Sequence, residues 1–259
     1  MFNTTIATQI YAKICFEATN SQKKIIENLS EYLSDDDFSR IFVLNGFAGT
    51  GKTTLIAALV AALKELRIKP VLLAPTGRAA KVLARYCGEQ ALTIHKRIYR
   101  QRTNADYESK FSLDFNREQG AVFIVDEASM LSDSTGDGAL FGSGSLLEDL
   151  VSYVRSGRGC RLILVGDSAQ LPPVGCDFSP ALDPATVSRY GEVVYGLMDE
   201  VVRQQMQSGI LFNATLVRCM LENRIYEIPK FEMDYPDFES VEGGDFMEKL
   251  QDAFDRYGR

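Results

Sequence analysis

The sequence predicts an α/β fold: a mostly parallel sheet with helices on both faces. Short apolar runs recur along the chain and read as strands buried on both sides. Stretches with helical spacing of apolar residues lie between them, which is the alternation of a parallel sheet. The first of these strands meets its helix through a glycine-rich loop, Gly46 to Thr54.

The elements run in chain order. Ser21 to Leu33 sets Ile25, Ile26, Leu29 and Leu33 on one helical face. Ile41 to Leu44 is a buried strand that ends at Gly46, and Lys52 to Leu66, rich in Ala and Leu, is a helix. Val71 to Ala74 is the second strand and Arg78 to Tyr86 the next helix. Ala121 to Val125, Leu146 to Val154 and Arg161 to Val165 continue as strand, helix and strand. Ile210 to Leu221 is a further helix. Two stretches interrupt the pattern. Gln101 to Gly120 is polar, and its piece KFSLDF reads as a strand or hairpin arm. Ser132 to Ser145 carries Gly136, Gly138, Gly142 and Gly144 and exceeds the usual connection length, which marks a functional or mobile loop. Beyond Glu222 the chain is acidic and broken by Pro229, Pro236 and Gly243-Gly244. The expected organisation is one lobe over 1–222 and an acidic linker or strap over 223–259.

Composition bounds the function classes. With 259 residues, 46% hydrophobic and 24% charged, the chain can bury a sizeable core without disulfides or metals. Disordered, collagen-like and disulfide-scaffold classes are excluded. The longest apolar stretch, Leu55 to Leu63, falls far short of a membrane span. The N-terminus has no basic region followed by an apolar core, so no signal peptide is expected. Five scattered cysteines without a CxxC pair point to a reduced, cytoplasmic protein. His95 is the only histidine, which argues against a His-based zinc site or a Ser-His triad elsewhere. The net charge of −7 speaks against a nucleic-acid surface, but it hides an asymmetry. Thr76 to Arg102 holds seven Lys/Arg against Glu89 alone, whereas Glu222 to Arg259 holds eleven Asp/Glu against five Lys/Arg.

Three motifs carry chemistry. GFAGTGKTT matches GxxxxGK[ST] through Gly46, Gly51, Lys52 and Thr53. Glycines let the backbone curl around phosphate oxygens, and the helix N-terminus behind it adds a second anion-binding element. Lys52 would reach the β- and γ-phosphates and Thr53 would offer its hydroxyl to Mg²⁺. AVFIVDEASM ends a buried strand in two carboxylates: Asp126 to hold Mg²⁺ through water, Glu127 to activate the attacking water. An Asp-Glu pair also caps helices, and the loop motif is what weighs against that plainer role. LILVGDSAQLPPVG ends the fourth strand and places Gln170 just past it, where an amide can sense a γ-phosphate.

In order, GTGKTT, APTGRAAKVL (Ala74 to Leu83), TIHKR (Thr93 to Arg97), VDEASM and GDSAQLPPVG resemble the leading motifs of superfamily 1 DNA helicases. The strongest likeness is to the RecD-like branch, that of the exonuclease V alpha subunit, and it runs from about Thr19 to Arg218. The resemblance implies a RecA-like P-loop lobe using ATP and Mg²⁺. Gln22, in TNSQKK, matches the glutamine that reads adenine. Gly46, Gly49, Thr50, Gly51, Lys52, Thr53 and Thr54 hold the nucleotide. Gln170 couples the γ-phosphate to motion, and Arg203, in VVRQQ, matches an arginine finger. Pro75, Thr76 and Arg78, then Thr93, His95 and Lys96, match segments that touch single-stranded DNA, with His95 and Tyr99 as stacking candidates. The plainer role for these residues is a solvated helix face and a satisfied core histidine.

Such motors close on ATP between two RecA-like lobes, and after Arg203 there is no room for another. The chain reads as the first motor lobe of a longer protein. A second lobe is then a required partner, and the exonuclease V likeness raises a nuclease subunit as another. Movement in the 5′-to-3′ direction is implied, while slow hydrolysis and no unwinding are expected of this chain alone. The alternative is a nucleotide-dependent binding or switch module without motor function. A small-molecule kinase is a third reading, in which GDSAQLPPVG has no role.

Overall fold

The structure, a computed structural model, describes residues 2–14, 17–103, 109–133, 141–200, 208–238 and 240–257. The chain divides into two compact units, Met1–Val201 and Val202–Arg259. In the first, the order is α1 (Phe2–Lys13), α2 (Asn20–Ser34), β1 (Ile41–Gly46), α3 (Lys52–Glu65), β2 (Pro70–Ala74), α4 (Gly77–Cys87), β3 (Ala91–Thr93) and α5 (Ile94–Ile98). It continues with β4 (Tyr99–Thr103), β5 (Ser109–Leu113), β6 (Val122–Val125), α6 (Leu146–Ser156), β7 (Arg161–Gly166), α7 (Pro184–Val187) and β8 (Val193–Met198).

Six strands form one sheet in the order β3-β2-β6-β7-β1-β8, and every neighbouring pair is parallel. β1, β6 and β7 are buried at every position, as strands covered on both faces must be. Successive residues of β1 serve opposite cores. Phe42 and Leu44 join Ile26, Leu59, Leu63 and Ile10 on the α1–α4 side. Ile41 and Val43 join Phe123, Leu150, Val154 and Leu164 on the α5–α7 side. Each such side chain stabilises the fold by about 1.5–3 kcal/mol relative to exposure. Tyr32 ties α2 to the sheet directly: its hydroxyl donates to the Leu162 carbonyl at 2.8 Å and accepts from the Leu162 N–H at 3.1 Å.

The fold is the RecA-like P-loop lobe that the motifs imply, with a sheet that is parallel throughout. KFSLDF is indeed a hairpin arm: β4 and β5 pair antiparallel, Tyr99 opposite Leu113, as a separate two-stranded sheet. Several elements of this unit were not anticipated, the short helices α5 and α7 among them. α1 docks Ile6 and Ile10, both fully buried, against α2 and α3. β3 adds a three-residue edge beyond β2, and β8 adds the opposite edge beside β1.

The second unit contains α8 (Gly209–Glu222) and α9 (Phe246–Tyr257). The sequence expectation ended the lobe at residue 222, whereas the structure groups α8 with the residues C-terminal to it. The reason lies in side-chain ties across α8. The Asn213 amide donates to the Glu232 carbonyl at 2.8 Å and accepts from the Glu232 N–H at 2.8 Å. Asp237 accepts from the Gly209 N–H at 2.7 Å and the Ser208 hydroxyl at 2.6 Å. α9 lies inside the stretch read as a linker. Among the described residues, no helix is long and apolar enough to cross a membrane.

Candidate functional site

Gly46 closes β1 at a crowded point, where a larger residue would force its neighbours to shift. A Cβ there would stand 2.9 Å from Lys52 Cγ and 3.0 Å from Met198 Cβ, because the lysine stem folds back over the strand end. Gly49 and Gly51 have φ of 77° and 87°, the left-handed region that costs other residues strain. Lys52 then opens α3, whose N-terminus carries no side-chain cap, so its first N–H groups remain available to an anion. Lys52 Nζ donates to the carbonyls of Gly46 at 2.5 Å and Phe47 at 2.9 Å, and it lies 3.9 Å from an Asp167 carboxylate oxygen. Burial lowers the Lys52 pKa; Asp167, Glu127 and Asp126 act in the opposite sense. Thr50 is fully buried and donates its hydroxyl to the Phe47 carbonyl at 2.8 Å, which closes the loop on itself.

The other strand ends meet this loop. Asp126 extends the β6 ladder by donating its N–H to Leu73 at 3.0 Å. Burial, and then the Glu127 charge, push the Asp126 carboxyl up to about 6. Glu127 is a non-glycine residue at φ 55°, ψ 38°, a strained turn of the kind found at functional sites. It leads into the short turn Ala128–Met130. Past β7, Asp167 is buried and accepts from the Ala169 N–H at 2.9 Å. Gln170 is exposed, and its carbonyl oxygen accepts from the buried Ser129 hydroxyl at 3.4 Å, joining this loop to the turn after Glu127. Thr53 and Thr54 follow Lys52 in the first turn of α3. Arg203 lies outside the described residues.

The structure thus brings Asp126, Glu127 and Asp167 within electrostatic reach of Lys52. Two site residues were missed from sequence. One is Asp167 itself, read only as part of a strand end. The other is Asn45, 5% exposed, whose amide donates to Ser168 Oγ at 2.8 Å and Tyr195 Oη at 3.0 Å and accepts from the Ser168 N–H at 3.0 Å. It pins the loop carrying Asp167 and Gln170 between β1 and β8. Leaving those groups unpaired is expected to cost about 2 kcal/mol in Asn45→Ala, read as a lower denaturant midpoint. An unchanged midpoint would show that the clamp contributes nothing.

The basic segment sits at the same end of the sheet. β2 and β3 are paired with Ala74 beside Thr93, so Pro75–Arg78 and Thr93–Lys96 leave adjacent strands at one level. Thr76 caps α4, its Oγ1 accepting from the Ala79 N–H at 3.2 Å, and Thr93 caps α5, accepting from the Lys96 N–H at 3.2 Å. Arg78 and Lys96 are exposed. His95 is partly buried, its pKa lowered by burial, with its ring edge-on to Phe141 at 5.1 Å and 5.6 Å from Tyr99. Tyr99 is committed as well, donating to Asp149 at 2.6 Å. Arg97, though part of the basic run, pairs with Glu118 at 2.6 Å. Pairing and aromatic packing therefore remove Arg97, and largely His95, from the groups free to meet a strand.

A phosphate loop at a strand–helix junction, faced by carboxylates from the neighbouring strand ends, defines a P-loop nucleotide-binding lobe of RecA-like architecture. The chain belongs to the family described as an AAA domain, whose profile matches residues 17–211. Its relatives include the ATP-dependent RecD2 DNA helicase of Deinococcus radiodurans, 30% identical over 154 residues that make up 60% of this chain and 19% of that protein. The RecBCD enzyme subunit RecD of Mycobacterium tuberculosis is 33% identical over 201 residues, 63% of this chain and 32% of the relative. The crystal structure of the Pif1 helicase from Candida albicans superposes with a TM-score of 0.50 at 20% identity, covering 83% of this chain and 46% of that one, a likeness of fold. These relatives carry the same likeness to RecD-like superfamily 1 helicases that the ordered motifs imply. The chain spans about a fifth to a third of the length of these curated relatives.

Proposed function

We propose that this lobe binds Mg–ATP on the Gly46–Thr54 loop and, in a complete two-lobed form, couples its hydrolysis to movement along single-stranded DNA. The observation that carries the reading is the loop itself: left-handed Gly49 and Gly51 set directly before an uncapped helix N-terminus, with Lys52 at the junction. Lys52 neutralises phosphate charge and the α3 N–H groups hold the anion in place. Glu127 orients and deprotonates the attacking water, and Gln170 reports the terminal phosphate to the loop after β7. Mg²⁺, when bound, supplies positive charge to the phosphates. The oxygens suited to it are the Thr53 hydroxyl and the Asp126 carboxylate, hard donors of the type it prefers. Among the described residues, no group of three or more His, Cys, Asp or Glu could hold an ion by itself. Such an ion would complete its shell from phosphate and water. Arg203 is assigned as an arginine finger, and an arginine from a second lobe would complete the set.

Arg78 and Lys96 offer exposed charge at one level of adjacent strands, which suits a single-strand backbone. Binding is expected to be weak and salt-dependent, and removing both charges in Arg78→Ala/Lys96→Ala should flatten the log–log salt slope by about 1.4, at ~0.7 per phosphate contact. Fluorescence anisotropy of a labelled oligonucleotide across a salt series measures this; an unaltered slope rejects these two residues as contacts. The test of the whole reading is ATP turnover with and without single-stranded oligonucleotide, for this chain and for a form carrying a second lobe. Stimulation by the strand in the two-lobed form supports the motor, and nucleotide binding with unstimulated turnover supports a switch module. One lobe offers one grip on a strand, so we expect no ATP-dependent strand displacement from the 259 residues alone.

A further inference from the structure

Gln22 stands in the first turn of α2, 1% exposed, and both ends of its amide are occupied by protein groups. Its carbonyl oxygen accepts from the Thr19 N–H at 3.0 Å, while its backbone N–H donates to Thr19 Oγ1 at 3.3 Å, a capping box. Its nitrogen donates to the carbonyl of Thr50 at 2.9 Å. Turning the amide over would set N–H against N–H and oxygen against oxygen, so the neighbours fix its orientation. A side chain that reads an adenine edge needs a free acceptor and a free donor together. Here one of each is spent and the remainder is buried.

Thr50 is the residue on which the phosphate loop turns. Its hydroxyl closes the loop start onto Phe47, and the next two residues are Gly51 and Lys52. In a trans peptide, the C=O of one residue and the N–H of the next point in opposite directions, and among the described residues no peptide bond is cis. Holding the Thr50 carbonyl toward α2 therefore turns the Gly51 N–H away from α2. The α2 end is itself anchored: Glu200 accepts from the N–H groups of Asn20 at 3.1 Å and Ser21 at 3.2 Å.

We propose that Gln22 is a positioning residue that holds the phosphate loop in its binding shape through the Thr50 carbonyl, and does not read the base. The inference rests on the reading that a triphosphate binds at Gly46–Thr54. It departs from the role that the helicase resemblance implies for this glutamine.

The experiment compares Mg²⁺-dependent binding of ATP, GTP and inorganic tripolyphosphate to the full chain, parent and variants, by calorimetry. Gln22→Met keeps the length of the side chain and removes the amide. All three ligands should weaken by the same factor, about tenfold for one buried hydrogen bond, with the ATP-to-GTP ratio of the parent retained. Weakening confined to ATP, or no weakening at all, overturns the proposal. Thr19→Ala removes a cap of α2 and leaves the Thr50 bond, so it should melt earlier yet bind tripolyphosphate as the parent does. An equal loss in Thr19→Ala would reduce Gln22 to a general support of the helix. Where Gln22→Met does not fold, Gln22→Glu keeps the capping box and puts a carboxylate oxygen in place of the donor to Thr50; weakening confined to ATP in that variant overturns the proposal. A parent that binds none of the three overturns the nucleotide reading itself, and the inference falls with it.

Discussion

Lys52→Ala is expected to abolish the stabilisation that Mg–ATP confers. At a nucleotide concentration a hundredfold above Kd, mass action adds about 2.7 kcal/mol to the folded state. For a domain of this size that is a rise in Tm of roughly 5–10 °C. The variant should show no such rise. Its ammonium is held at the loop by the Gly46 and Phe47 carbonyls and by Asp167, so the charge is already placed where phosphate oxygens would meet it. Part of the cost of burying that charge is met before any ligand arrives. Far-ultraviolet circular dichroism without nucleotide separates a lost site from a lost fold. A melting shift equal to the parent's would remove Lys52, and with it the loop, from nucleotide binding.

The second large effect is kinetic. Glu127→Gln in a two-lobed form should retain ATP affinity within about twofold and lose turnover by ~10²–10³, the scale of general base catalysis. The substitution keeps the size of the side chain and so the strained turn at φ 55°, where the chain leaves β6. It removes one negative charge beside Asp126, and that charge contributes to the raised Asp126 pKa. Affinity for the metal–nucleotide complex should therefore respond little while the water loses its base. Single-turnover hydrolysis measured beside equilibrium binding distinguishes the two. Equal turnover in variant and parent would leave Glu127 as a capping or structural carboxylate.

The sequence displayed the parts of this lobe that are locally encoded. β1, the loop and α3 were legible because an apolar run, two glycines with positive φ and an Ala/Leu-rich helix come in succession without a gap. Asp126 and Glu127 were legible because they terminate an unbroken buried strand. The features that escaped depend on partners far along the chain. Among its described side chains α1 buries Ile6 and Ile10, amid threonines of modest helix propensity, and it forms by docking on α2 and α3. Asn45 reads as an ordinary polar strand end until Ser168 and Tyr195, more than a hundred residues on, arrive at its amide. Arg97 counted toward a basic patch because Glu118, its partner, lies across the hairpin. Glutamine is usually exposed, which hid the burial of Gln22; the Thr19-to-Gln22 spacing was the available signal, a capping box written in the sequence. β8 alternates buried and exposed positions as an edge strand does, and its glycine at position 196 breaks the apolar run.

Between the phosphate loop after β1 and the basic segments after β2 and β3 lie β7 and β6. β1 and β2 are thus three strand spacings apart, about 14 Å at 4.8 Å each. Those strands are laced together along their whole length and pressed between two cores, a plate that neither stretches nor shears at thermal energies. Chemistry at one end of the plate cannot tug on the other by lengthening it. Whatever passes between them travels through the strand-end turns at the rim, where Asn45 meets Ser168 and Ser129 meets Gln170, or as a tilt of the whole plate. A lobe of this build can pass on a motion by tilting whole, and hardly at all by deforming.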